Sequence, residues 1–244
     1  MKLALYSAIY GTYEATAKPI PPDLGIPAIM FTDQESIAVQ CERRNDWTAI
    51  YDTTVYERFE ADPANGDPAI TVPMLAHKYW KTHPVEAMVK AGLDVDASIW
   101  VDGNMRITMP GAEWVAKNVA ALGDDDWSLM GHPWRGCVYD EHAYTAAVCW
   151  GRYSVEAMQR QIEAIEHSGH PRGWGLFATG HMVRRHTNAV IATSNVWWDH
   201  NVKYSHQDQL SLPPLVRLAS EPDVGLRWNM NLPWGTWELE AHGY

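Results

Sequence analysis

The chain has 244 residues, 46% of them hydrophobic and 20% charged. That balance excludes a disordered tail, a collagen-like fibre and a disulfide-dense miniprotein, and the length suffices for one large α/β domain or two small ones. Lys and Arg number 19 against 30 Asp and Glu, a formal charge of -11, which disfavours general nucleic-acid binding through phosphates.

In chain order, Leu3–Ile9 is an apolar run closed by Gly11, Ala28–Thr32 is a second that stops at Asp33, and residues 48–52 form a third. Ala97–Val101 is a fourth and runs straight into Asp102-Gly103-Asn104. Near-continuous apolar runs of this length fit strands buried on both faces of a parallel sheet. Segments 21–27 and 61–73, rich in Pro, Gly, Asp and Asn, read as loops. Helices are expected at 73–81 and 84–92, each opened by a proline, and at Gly111–Leu122. Residues 154–168 give the clearest one, with Val155, Met158, Ile162 and Ile165 on one face and Gly169 closing it. Residues 188–202 and 205–218 follow, the last broken or kinked at Pro213-Pro214. No segment has the make-up of an interdomain linker. The expectation is a single α/β domain over residues 1–244, with a mixed, mostly parallel central sheet flanked by helices.

The three cysteines, Cys41, Cys137 and Cys149, form no C-x-x-C pair and read as buried thiols of a reducing, cytoplasmic compartment. The opening MKLALYSAIYG is a poor signal peptide, because Ser7 interrupts its short apolar stretch, and no run reaches the roughly 18 apolar residues of a membrane span. Thirteen Trp against three Phe is an unusual ratio. Most, including Trp100, Trp114 and Trp197, are expected in the core, and Trp134, Trp228, Trp234 and Trp237 nearer a ligand.

Chemistry concentrates at a strand end. Open α/β sheets bind ligands at the carboxyl ends of their strands, where Asp102-Gly103-Asn104 lies. An acid, a glycine and a second oxygen donor suit Mg²⁺ or Mn²⁺ bridging to a substrate diphosphate, with Gly103 permitting close approach. The same tripeptide is also ordinary turn chemistry. Lys78 and Lys81, one helical turn apart just upstream, could meet phosphates. HPWRGCVYDE at 132–141 gathers a histidine, an arginine and two acids, and SHQDQLS at 205–211 opens a helix with polar side chains.

SIWVDGN at 98–104, HPWRGCVYDE and YSHQDQLSL at 204–212 resemble motifs of the glycosyltransferase-like family named for plant mucilage and turgor-regulation proteins. YSAIYGTYE at 6–14, FTD at 31–33 and KYWKTHP at 78–84 fit in the same order, so the resemblance covers about residues 3–220. It implies a GT-A-type fold, a UDP-sugar or related nucleotide-sugar donor, and transfer of a hexose to a hydroxyl acceptor, possible acceptors being a glycan, a lipid or a hydroxymethylated nucleobase. It also implies a divalent cofactor, Mn²⁺ or Mg²⁺, held by Asp102, Asn104 and a C-terminal histidine, His242. Asn104 departs from the family's second acid. Ala8, Tyr10, Tyr13, Lys78, Lys81, Asp102 and Gly103 fall on the donor side, although the two tyrosines suit core packing as well. His132, Trp134, Arg135, Asp140 and His206 fall on the acceptor side. Asp208 and Gln207 correspond to an element beside the reacting sugar carbon, with Arg usual at the position of Gln207, and Glu141 is a reserve general base.

Two rival readings differ in class. A zinc hydrolase would draw on the pairs His167/His170 and His181/His186, but no H-E-x-x-H pattern appears. A catalytically silent nucleotide-sugar-binding module would keep the fold without transfer. A DNA acceptor would need Arg135, Arg152, Arg172, Arg184 and Arg185 to converge into a local basic groove.

Overall fold

The computed structural model describes residues 1–59, 70–149 and 151–239. A seven-stranded sheet runs through the molecule, built from β1 (Leu3–Ile9), β2 (Ala28–Thr32), β3 (Thr48–Tyr51), β4 (Ala97–Val101), β6 (Trp127–Gly131), β7 (Phe177–Arg185) and β8 (Trp228–Asn229) in the order β3-β2-β1-β4-β7-β6-β8. A two-stranded ribbon pairs β5 (Met105–Ile107) with β9 (Trp237–Leu239). β3, β2, β1 and β4 are mutually parallel, β7 is antiparallel to β4 and β6, and β8 is parallel to β6. The sheet is therefore mixed and mostly parallel, as the sequence indicates.

Alternation along β1 explains why its run is apolar throughout. Ala4, Tyr6 and Ala8 join one hydrophobic core with Phe31, Trp80, Trp100 and Trp197. Leu3, Leu5 and Ile9 join a second, on the opposite face, with Met30, Ile37 and Trp114. Helices α2 (Val72–Thr82), α7 (Asn188–Lys203) and α8 (Asp208–Ala219) contribute to the first core, and α1 (Glu35–Arg44) and α4 (Gly111–Leu122) to the second. Burial on both faces is the usual state of parallel strands. The remaining helices are α3 (Pro84–Lys90), α5 (Val138–Val148) and α6 (Val155–His167), with a short 3-10 helix at Thr54–Arg58.

Two expectations need correction. Val72 and Pro73 belong to α2, not to the loop expected at 61–73, of which residues 61–69 lie outside the described residues. Pro213 and Pro214 do not end α8, which continues through both to Ala219. They withhold two N–H groups from the carbonyls of Gln209 and Leu210, but buried Leu210, Leu212, Leu215 and Val216 hold that turn against the core. The segment 132–141 runs from the end of β6 into α5, which begins at Val138 and carries Asp140 and Glu141 in its first turn.

Candidate active site

The carboxyl ends of β1, β2, β3 and β4 share one edge of the sheet, and antiparallel β7 brings Thr179 and Gly180 to that edge from its first half. At the end of β4 the Asp102 N–H donates to the Gly180 carbonyl at 2.8 Å, and the Asp102 carbonyl accepts from Met105 N–H at 3.0 Å. Asp102-Gly103-Asn104 is thus both a strand end and a tight turn. Gly103 is not in the left-handed region, and its close approach is to protein. A Cβ there would lie 2.6 Å from Ile9 Cγ1, so the glycine makes room for the last residue of β1.

Four charged side chains from three motifs meet at this turn. Lys81, 1% exposed in the last turn of α2, donates from Nζ to Asp208 Oδ2 at 2.8 Å and Asp102 Oδ1 at 3.1 Å. Thr179 Oγ1 lies 3.4 Å from the same ammonium. Lys78, one turn earlier, pairs with Asp208 Oδ2. Trp100 Nε1–H donates to Asp102 Oδ1 at 2.8 Å. Asp208, 4% exposed, is the first residue of α8, where the helix N-terminus favours a negative charge. Its Oδ1 is buried and has no hydrogen-bond partner among the described residues.

Burial and charge compete in this cluster. Burial alone would raise the carboxyl of Asp208, but Lys78 and Lys81 outweigh it and hold the group well below the usual range. Asp102 behaves likewise, burial being overcome by Lys81, His77 and Lys78. Burial works against the charge of Lys81 too, and the two carboxylates overcome it, so its pKa is raised. Burial prevails at Lys78, pushed down to about 8, and at His77, pushed down to about 3.

A second cluster adjoins the first through the chain. Gln207 Nε2 donates to Glu141 Oε1 at 3.1 Å and Thr145 Oγ1 at 3.3 Å, and Thr145 Oγ1 lies 3.1 Å from the same carboxylate oxygen. Arg135 binds Glu141 Oε2 and lies 3.9 Å from the Tyr144 ring centroid. Both oxygens of the reserve base are therefore engaged. His132 follows β6 and accepts on Nδ1 from the N–H of Arg135 at 3.1 Å and of Trp134 at 3.3 Å. That pins a loop from which Trp134 stands 79% exposed.

The other sequence candidates are scattered. Ala8 and Tyr10 are buried in the core, where Tyr10 accepts from Trp80 Nε1–H at 2.9 Å. Tyr13 is half-buried, with the Arg152 guanidinium 5.3 Å from its ring, and His206 packs on Tyr153 at 4.6 Å. Asp140 is exposed and apart from both clusters' hydrogen bonds as described. Trp237 is buried, Trp228 packs on Trp174 and Phe177, and Trp234 is exposed. Sequence reasoning missed Thr179, His77, Thr145 and the role of Trp100, which carry no motif and reach the site through the fold. His181 and His186 are structural: His181 stacks on Trp114 and binds Asn118 Oδ1 at 2.7 Å, and His186 binds Ser98 Oγ at 3.1 Å.

A divalent ion at the turn would draw on Asp102, Asn104 and His242. His242 lies outside the described residues. Asp102 Oδ1 already accepts from Lys81 and Trp100, Asn104 is neutral, and the described residues hold no group of three His, Cys, Asp or Glu suited to a metal. The Lys81 ammonium against this carboxylate would repel a second cation. Among the described residues the turn offers one carboxylate already shared with Lys81 and one neutral amide, which by themselves do not fit a resident divalent ion.

No protein-family model matches the chain, and no curated protein matches it. Among solved structures it is similar to mouse xyloside xylosyltransferase 1 in its apo form, at 9% identity over 93% of this chain and 83% of that one, with a TM-score of 0.48. It is also similar to core-mannan synthase A from Aspergillus fumigatus in an Mn/GDP form, at 10% identity over 100% and 79%, TM-score 0.46. Glucosyl-3-phosphoglycerate synthase from Mycobacterium tuberculosis with phosphoglyceric acid follows, at 10% identity over 99% and 73%, TM-score 0.44. No helix among the described residues is long and apolar enough to cross a membrane.

Proposed function

We propose that the chain is a GT-A-type glycosyltransferase that moves a sugar from a nucleotide-sugar donor, a UDP-sugar, to a hydroxyl acceptor. One observation carries the reading: Lys78, Lys81, Asp102 and Asp208, from three separate sequence motifs, meet in one charged cluster at the carboxyl ends of parallel strands. That edge is where open α/β sheets take their ligands. The order of the motifs, which resembles the plant mucilage and turgor-regulation family, supports the same reading.

In the reaction the bond from the anomeric carbon to the diphosphate oxygen breaks, one to the acceptor oxygen forms, and the proton of the acceptor hydroxyl passes to the departing diphosphate. Lys78 and Lys81 stabilise the charge that grows on the leaving diphosphate, an electrostatic effect strongest in a site closed to water. Asp208 is held so firmly ionised that it is a poor base, but its unpartnered Oδ1 is a good acceptor for a sugar hydroxyl, so its role is positioning. Glu141, saturated by Arg135, Thr145 and Gln207, orients Gln207 beside it. On the acceptor side, Trp134 offers an exposed ring face to the ring of a glycan, a glycolipid headgroup or a modified base.

A thermal-shift and turnover screen of UDP- and GDP-sugars tests this. A UDP-sugar is expected to stabilise the chain and to release UDP when an acceptor is present, with Asp102→Ala and Asp208→Asn abolishing release. Unchanged turnover in both variants would refute the assignment. Binding without release across a broad acceptor panel would make the chain a silent nucleotide-sugar-binding module.

A further inference from the structure

We propose that Lys81 occupies the cation position of the Asp102 turn, so that the site receives a nucleoside diphosphate without a divalent ion. The choice of ligand rests on the glycosyltransferase reading; the occupancy of the turn by Lys81 does not.

Lys81 is a built-in group, not a surface lysine that happens to reach the turn. Its ammonium touches Asp102 Oδ1, Asp208 Oδ2 and Thr179 Oγ1 at 3.1, 2.8 and 3.4 Å. The ring of Trp100 lies beneath it, 5.8 Å away at the centroid, and the same indole donates to Asp102. Its backbone is fixed as well, because the carbonyl of Lys81 accepts from Arg184 Nη2 at 2.7 Å and Arg184 is fully buried. Two oxygens from two carboxylates and a hydroxyl around one positive centre make a small cation site, and the cation is covalently attached.

Charge gives the same answer. Asp102 and Asp208 bring two negative charges and Lys78 and Lys81 two positive ones, so the cluster is balanced as it stands. A divalent ion on Asp102 would have to share that carboxylate with the Lys81 ammonium, with only the neutral Asn104 as the next side chain of the motif. A diphosphate needs no ion to be received here. It can draw the two ammonium groups partly away from Asp208, whose free Oδ1 then turns to a sugar hydroxyl. Asp102, on this account, is a positioning residue that holds Lys81 and not a metal ligand.

Calorimetric titration of UDP and of GDP, in EDTA and in Mn²⁺, tests the proposal together with a titration of Mn²⁺ alone followed by its electron paramagnetic resonance. Affinity in the two buffers is expected to agree within about threefold, where an ion bridging the turn to the diphosphate would couple to it by about 5- to 150-fold. The unmodified chain is expected to leave the free Mn²⁺ signal intact, and a folded Lys81→Met variant, which removes the ammonium held between the two carboxylates, to take the ion up. Nucleotide binding only in Mn²⁺, uptake of Mn²⁺ by the unmodified chain that Asp102→Ala removes, or no uptake by folded Lys81→Met would each overturn it. If Lys81→Met does not fold, the unmodified chain still decides. If neither nucleotide binds in either buffer, the glycosyltransferase reading falls, and the Mn²⁺ titration of the unmodified chain continues to decide the occupancy of the turn.

Discussion

Asp208 is the residue on which most of the site depends. It pairs with both buried lysines, so Asp208→Asn leaves two ammonium groups to the single charge of Asp102. Removing one partner of a buried pair costs about 3–5 kcal/mol, and a loss of that order is expected in urea unfolding. Lys78→Met added to Asp208→Asn removes one charge of each sign, and the double variant is expected to regain part of the loss. Lys78 itself supplies a pH test with two signs. Its pKa falls from 10.5 to about 8 because burial disfavours the charged form, so UDP binding is expected to weaken as pH rises through about 8. Between about 8 and 10.5 the unfolded chain keeps a proton that the folded chain has released. Stability from this group therefore rises with pH across the same window. Calorimetry of UDP binding and unfolding curves from pH 7 to about 10 should move in opposite directions, and Lys78→Met should flatten both.

At the level of elements, legibility followed the partner of each side chain. β1, β2 and β4 are readable because every position is buried between two helical layers, which leaves a near-continuous apolar run. β7 is equally central but carries His181 and Arg184, whose hydrogen-bond partners are Asn118 and, for the arginine, Tyr6 and the Lys81 carbonyl. Those partners lie far away in sequence, so no local pattern announces the strand. α1 buries only Ile37 and Cys41, and α5 buries Glu141 and Thr145 among its few inward positions, so neither shows an apolar stripe. The site divided in the same way: Lys78, Lys81, Asp102 and Asp208 were found by motif, whereas Thr179 and His77 become visible only when β7 and α2 are placed beside β4. Helix α6 was legible by its stripe, of which Met158, Ile162 and Ile165 are buried while Val155 is exposed, and by Gly169, which follows it with positive φ. Ser154 Oγ accepts from Ala157 N–H at 3.1 Å, so Ser154→Ala is expected to cost about 1 kcal/mol, as N-cap removals do. Thermal unfolding should register that loss while UDP affinity stays unchanged, since α6 takes no part in the charged cluster.

At the scale of the whole molecule, the question is whether an acidic chain can serve a nucleic-acid acceptor. A convergent groove would have to gather the arginines, and four of the five are engaged within the fold, while Arg172 is largely exposed. Arg184 is buried against Tyr6, and Arg185 binds the carbonyls of Gly123 and Asp125. Arg172 lies over Tyr139 beside Glu166, Arg135 is taken by Glu141, and Arg152 rests between Tyr13 and Tyr153. The charge of -11 is thus not offset by a positive stripe built from these residues, and long-range repulsion of a phosphate backbone prevails. Fluorescence anisotropy of a labelled DNA duplex is therefore expected to show no binding at physiological salt. Binding that strengthens steeply as salt is lowered would count against this, because it would reveal several phosphate contacts released with their counterions. An acceptor that is a glycan or a lipid headgroup needs no such contacts. With that kind of acceptor, salt should leave turnover nearly flat once the donor is saturating, since screening weakens exposed charges far more than the buried lysine–carboxylate cluster.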